Sequence, residues 1–180
     1  PGQRRVGVSG RELEAWRSQA TAFQELGFYS SGARYLGGGE EPVRTREGRV
    51  SPHLLPMLGI SPELGRLPGE ADAGAGADPV AVLTWRTWQE RFAGAADVVG
   101  RPLKLDDVTH TVIGVLPENV QFDMWWEAGV FTPLPAEATE GSDSWDDRAY
   151  AVVARLADGV TMDQARAQME VLTTRLQTDP

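Results

Sequence analysis

Apolar residues fall into short blocks that switch between helical and strand spacing, with polar or glycine-rich stretches between them. The first block follows Val8-Ser9-Gly10-Arg11-Glu12. Ser9 stands where a helix cap is needed, Glu12 sits at the reciprocal capping-box position, and Val8 with Leu13 can form a hydrophobic staple. Leu13, Trp16, Ala20 and Phe23 then recur at helical spacing, which predicts one buried helix face. From Glu25 to Leu36 the pattern changes to strand and predicts a hairpin turning at Ser30-Ser31-Gly32, before Gly37-Gly38-Gly39 interrupts it. The alternation in Val43 to Val50 predicts a strand with a solvated face, too polar for a central position covered on both sides.

Further along, Ser51 and Pro52 predict the cap and first residue of a short helix that Gly59 ends. The segment from Ile60 to Pro79 is rich in small and acidic residues and predicts a mobile loop. Val80 to Leu83 predicts a buried strand, and Thr84 the cap of a helix with Trp85, Trp88 and Phe92 on one face. Pro102 to Leu105 and Val108 to Val115 flank Asp106-Asp107 as a tight hairpin. Gln121 to Leu134 carries a cluster of aromatic residues, Glu137 to Asp147 is an acidic loop, and Arg148 to Leu156 returns to strand. Thr161 and Gln164 repeat the capping box before Ala165, Met169, Leu172 and Leu176 at helical spacing. The two terminal helices share staple-and-cap chemistry, each beside a strand. They predict an α+β chain of two subdomains: a split βαβ-type subdomain from residues 1–50 and 135–180, and a mixed, strand-rich middle subdomain from residues 51–134.

Charge and composition narrow the function. Seventeen Lys and Arg against 26 Asp and Glu give a net charge of −9, which repels nucleic-acid phosphates and argues against a nucleic-acid partner. With no cysteine, disulfides, thiolate catalysis and Cys-ligated zinc are excluded. No apolar run approaches the roughly 20 residues that span a bilayer. The chain begins at Pro1 and ends at Pro180, which reads as a piece of a longer protein. His53 and His110 stand alone, without a metal-binding or catalytic signature around them. Gly37-Gly38-Gly39 lacks the Lys-Ser/Thr of a phosphate loop and is followed by Glu40-Glu41. Asp143 to Asp147 offers oxygen ligands without the EF-hand order. The carboxylates permit many acid–base pairs and single out none. Of the six tryptophans, Trp16, Trp85 and Trp88 fall on helical core stripes, leaving Trp125, Trp126 and Trp145 as the candidate contacts to a partner. The residues point to no metal, cofactor or catalytic group.

The order of motifs along nearly the whole chain resembles the MacB-like periplasmic core domain of ABC transporter permeases. The resemblance is carried by Leu13-Glu14-Ala15-Trp16-Arg17, Arg49-Val50-Ser51-Pro52, Leu58-Gly59-Ile60-Ser61-Pro62 and Val98-Val99-Gly100-Arg101. It continues through Val112-Ile113-Gly114-Val115-Leu116-Pro117, Val152-Val153-Ala154-Arg155-Leu156 and Gly159-Val160-Thr161. This implies a domain of two subdomains on the outer side of the cell membrane, held between transmembrane helices. A cytoplasmic ABC ATPase subunit, a second permease copy and an envelope protein are the implied partners. The implied role is non-catalytic, in transport or in transmission of motion across the membrane. Two other readings stand beside it: a binding module that holds a peptide, lipid or glycan on exposed aromatics, and a hydrolase working through carboxylates.

Overall fold

In a computed structural model describing residues 7–37, 42–120, 128–135 and 150–178, Ser9 starts helix α1 (Gly10–Gln19) through a complete capping box. The Ser9 hydroxyl accepts from the Glu12 N–H at 3.3 Å, and the Glu12 carboxylate accepts from the Ser9 N–H at 2.9 Å. Four backbone donors are orphaned at any helix start, and this exchange satisfies two of them, the Ser9 and Glu12 N–H groups, inside a buried site. Contacts divide the chain into two units, Pro1–Phe28 with Ala136–Pro180 and Tyr29–Pro135.

In the first unit, α1 ends at Gln19 because Ala20 turns extended while its N–H still reaches the Trp16 carbonyl. Phe23, expected on the helix face, therefore begins strand β1 (Phe23–Leu36). The turn between them is fixed by Gln168 from helix α4 (Met162–Thr178). Its amide oxygen accepts from the Ala22 N–H at 2.8 Å, and its amide nitrogen donates to the Thr21 hydroxyl at 2.7 Å. At the start of α4, the Thr161 N–H donates to Gln164 Oε1 at 2.8 Å and the Gln164 N–H to the Thr161 hydroxyl at 3.3 Å, the second capping box read from the sequence. Strand β8 (Ala151–Leu156) lies beside β1, and the Ala157 N–H donates to the Ala22 carbonyl at 2.9 Å. Helix α4 packs against α1 and buries Ala165 and Leu172.

The second unit is built on strands that close on themselves. From Tyr29 to Leu36, β1 pairs antiparallel with β2 (Val43–Val50), Tyr29 opposite Val50 and Leu36 opposite Val43. No turn interrupts β1 at Ser30-Ser31-Gly32, because the partner strand supplies ladder bonds along this stretch that a turn there would leave unmet. β2 also pairs in parallel with β7 (Ala128–Pro133), so it has a neighbour on each side despite its polarity. Backbone pairing makes no demand on side-chain polarity, and its outward residues Arg44 and Arg46 stay exposed. These pairings carry residues 29–50 into the middle unit, so the first boundary falls at Phe28 rather than at residue 50. From β7 the order runs through β4 (Val80–Leu83), β6 (Val108–Val115) and β5 (Pro102–Leu105). The ring then returns to β1, where Leu36 pairs with Leu105. The hairpin tip at Asp106, whose φ is 50°, secures this closure. Its N–H donates to the Tyr35 carbonyl at 2.8 Å, and its carboxylate accepts from the Tyr35 N–H at 2.8 Å.

Around the ring, three elements differ from the sequence expectation or complete it. Helix α2 is only Leu54–Met57; the Ser51 carbonyl, not its side chain, receives the Leu54 N–H, and Pro52 and His53 belong to the preceding turn. The segment read as a mobile loop is pinned. Strand β3 (Leu64–Gly65) pairs with β6, and a 3-10 turn at Glu70–Asp72 is tied by two Arg66–Asp72 hydrogen bonds of 2.6 and 2.7 Å. Helix α3 (Trp85–Phe92) starts as expected, with the Thr87 N–H donating to the Thr84 hydroxyl. It sets Trp88 into a core of Leu36, Leu83, Leu103, Leu105 and Val112, with Trp85 and Phe92 packed at its margin. The Trp85 and Trp88 rings meet edge-on, 4.8 Å between centroids. Burial of this apolar area supplies the main driving force, and the Trp88 N–H is satisfied by the Ala95 carbonyl at 3.0 Å.

Backbone approach is closest where β3 crosses β6. Gly65 has φ 70°, and a Cβ there would overlap the Ile113 carbonyl oxygen. Gly65→Ala should therefore lower stability by at least about 2 kcal/mol, from left-handed strain and overlap together, as read from urea unfolding. The Arg66 hydrogen bonds, joined by the Gly69 N–H, hold the Asp72 carboxyl below its ordinary range. A lowered native value stabilises the fold above the unfolded aspartate pKa of about 4 and is lost as pH falls through the native value. The wild-type unfolding midpoint should thus fall more between pH 7 and pH 3 than that of Asp72→Asn, by the share this group contributes.

Candidate functional site

The residues able to do chemistry are engaged in structural tasks. His53 Nε2 lies 2.6 Å from Glu70 Oε1, with both side chains mostly exposed, a surface pair. His110 Nδ1 lies 3.2 Å from the Val108 carbonyl on its own strand. Two carboxylates are buried. Glu12 belongs to the capping box of α1, and Glu47 accepts from the Thr132 hydroxyl at 2.6 Å while its other oxygen faces the Arg34 guanidinium at 2.9 Å. Burying a carboxylate is costly unless charge and hydrogen bonds compensate it; for Glu47 the Thr132 hydroxyl supplies a hydrogen bond to Oε1 and Arg34 supplies charge beside Oε2, which accepts no hydrogen bond among the described residues. Among the described residues, no group of three or more His, Cys, Asp or Glu is placed to hold a metal ion. Trp125, Trp126 and Trp145, and the Asp143 to Asp147 run, lie outside the described residues.

The first unit carries an apolar groove of about 560 Å³. Trp16 comes to it from α1, Phe23 and Leu26 from β1, Val152 from β8, and Met162 and Met169 from α4. These positions follow from local structure. The end of α1 at Gln19 releases Phe23 from the helix, and the capping box at Thr161 directs the first turn of α4 so that Met162 stands more than half exposed. Arg166 and Glu170 supply the charged part of the lining. Trp16 Nε1 is buried there with no acceptor among the described residues. Such a surface can take up an apolar group, and the hydroxyl-bearing residues Thr173 and Thr174 belong to its described lining.

The sequence placed Trp16 on a core stripe with Phe23, and the structure brings both to the groove from two different elements. The signal that separates them is Ala20-Thr21-Ala22, a stretch of small residues after the last well-formed turn, where a strand-forming run begins. Trp88 sits in the core of the second unit and Trp85 packs at its margin.

Solved structures share the fold. The periplasmic region of MacB from Actinobacillus actinomycetemcomitans superposes with a TM-score of 0.76 at 16% identity, over 96% of this chain and 76% of that one. The extracellular domain of the noncanonic ABC-type transporter YknZ from Gram-positive bacteria gives 0.68 at 11% identity, over 97% of this chain and 87% of that one. Among curated proteins, none matches. The model of the MacB-like periplasmic core domain matches residues 1–172. The mixed α+β architecture, with strands closed around α3 and capped helices beside β1 and β8, agrees with that match, and the chain belongs to the MacB-like periplasmic core domain family, the extracytoplasmic domain of ABC transporter permeases.

Proposed function

We propose that this domain does no chemistry of its own and serves its permease by moving and docking on the outer side of the membrane, coupled to ATP hydrolysis by a separate cytoplasmic ATPase subunit. The family match over residues 1–172 carries the reading. The engagement of Glu12, Glu47, His53 and His110 in caps, ion pairs and backbone contacts supports the non-catalytic part. The unit that holds both ends of the chain is the membrane-proximal one in this proposal. A second permease copy is the partner in the motion, and an envelope protein is the partner in docking, met by Trp125, Trp126 and Trp145. Large aromatic side chains suit this last role because they bury much area at a small entropic cost.

This domain has no cysteine of its own, so once any cysteines elsewhere in the permease and ATPase are replaced, a single introduced one reports the motion. Val171 on α4 is half exposed, so a spin label on Val171→Cys leaves the core intact. In the full-length permease reconstituted with its ATPase, the distance between labels in the two copies should change between the nucleotide-free and ATP-trapped states. A single distance distribution, identical in both states, would contradict the proposal.

A further inference from the structure

The second unit concentrates positive charge in one place, although the chain as a whole carries −9. A cavity of about 510 Å³ is bounded by β2, α3 and β7. Four guanidiniums line it, Arg44 and Arg46 from alternate positions of β2 and Arg86 and Arg91 from α3, against the single carboxylate of Glu90. The Glu90 carboxylate meets Arg86 at 3.5 Å with both side chains largely exposed, an ion pair of the weak, solvent-screened kind. Arg44 makes no ion pair among the described residues, while Arg46 and Arg91 have contacts of their own.

Two hydroxyls form the opposite part of this site. Gly129 of β7 brings its Cα against the Thr45 and Thr87 side chains; a Cβ there would overlap Thr45 Oγ1 and lie 2.9 Å from Thr87 Oγ1. The Thr84 hydroxyl lies 3.1 Å from the Thr87 hydroxyl and 3.2 Å from the Gly129 carbonyl, so its single proton is shared between them, and the Thr45 hydroxyl has no hydrogen-bond partner among the described residues. Guanidinium forks and hydroxyl donors around one cavity are the chemistry that recognises a tetrahedral oxyanion, and a low-dielectric wall strengthens the attraction. The volume exceeds what a bare phosphate fills and suits one attached to a small organic group. We propose that this cavity binds a phosphate-bearing anion, held chiefly by the guanidiniums of Arg44 and Arg86.

Calorimetric titration at low ionic strength with glycerol 1-phosphate, pyrophosphate and citrate tests the site. Saturable binding of the two phosphate compounds, stronger than of citrate, is expected. It should weaken by roughly tenfold or more in Arg44→Gln combined with Arg86→Gln, as the loss of charge-assisted contacts implies. Both arginines are exposed, so the double variant should keep the wild-type thermal midpoint, and Arg17→Gln in the other unit should bind as wild type. Cosedimentation with phosphatidylglycerol vesicles but not phosphatidylcholine vesicles, dependent on the same two arginines, would assign the phosphate to a lipid headgroup. Binding of glycerol 1-phosphate without vesicle capture would assign it to a soluble ester. No saturable binding, equal binding of citrate, or a double variant that binds like the wild type would overturn the proposal.

Discussion

The meeting of Tyr35 with Asp106 holds the second unit together as a ring. Strand pairing runs from β1 through β2, β7, β4, β6 and β5. An open sheet of that order would expose two edges of unpaired backbone groups. The tip of the β5–β6 hairpin removes them by exchanging hydrogen bonds with Tyr35, while the Gly37 N–H donates to the Lys104 carbonyl at 2.8 Å. This closure needs an aspartate at φ 50°, a conformation that Asp and Asn adopt more readily than most residues. The remaining features fit within that frame: Trp88 fills the core, Gly48 leaves room for the Phe131 ring on the paired strand, and Gly65 lets β3 lie close against β6.

Function follows from what such a body can and cannot do. Its buried carboxylate Glu47 is held by the Arg34 guanidinium and the Thr132 hydroxyl, which leaves it poorly placed for proton transfer. A closed ring with a packed core resists deformation, because interiors at crystal-like density respond to displacement as a whole. That suits a part moved by chemistry performed in another polypeptide. The first unit differs in kind. It carries an apolar groove beside the Trp16 indole, whose N–H meets no acceptor among the described residues.

Much of the fold was legible in local chemistry. Both capping boxes, the Thr84 cap, the Asp106-Asp107 hairpin and the Trp85, Trp88 and Phe92 stripe were readable because each depends on residues close in sequence. Long-range pairing defeated the rest. Nothing local tells that Ser30-Ser31-Gly32 stays extended, since the decision is made by β2 across the ladder. The pinning of residues 60–79 likewise depends on Arg66 reaching Asp72 and on a partner strand far along the chain. The same limit applies to the sites. Arg44 and Arg46 read as one solvated strand face, and only the fold sets them opposite Arg86 and Arg91. Trp16 and Phe23 read as one helix stripe and reach the groove from separate elements.

Amide hydrogen exchange followed by NMR tests the closed ring most directly. If closure at Tyr35 and Asp106 makes the second unit one cooperative body, the amides of Tyr35, Gly37 and Asp106 should be protected to an extent comparable with Val82 and Val112 in the central strands. Exchange of those three amides at the rates of an unstructured chain, with Val82 and Val112 still protected, would show an open sheet and contradict the account.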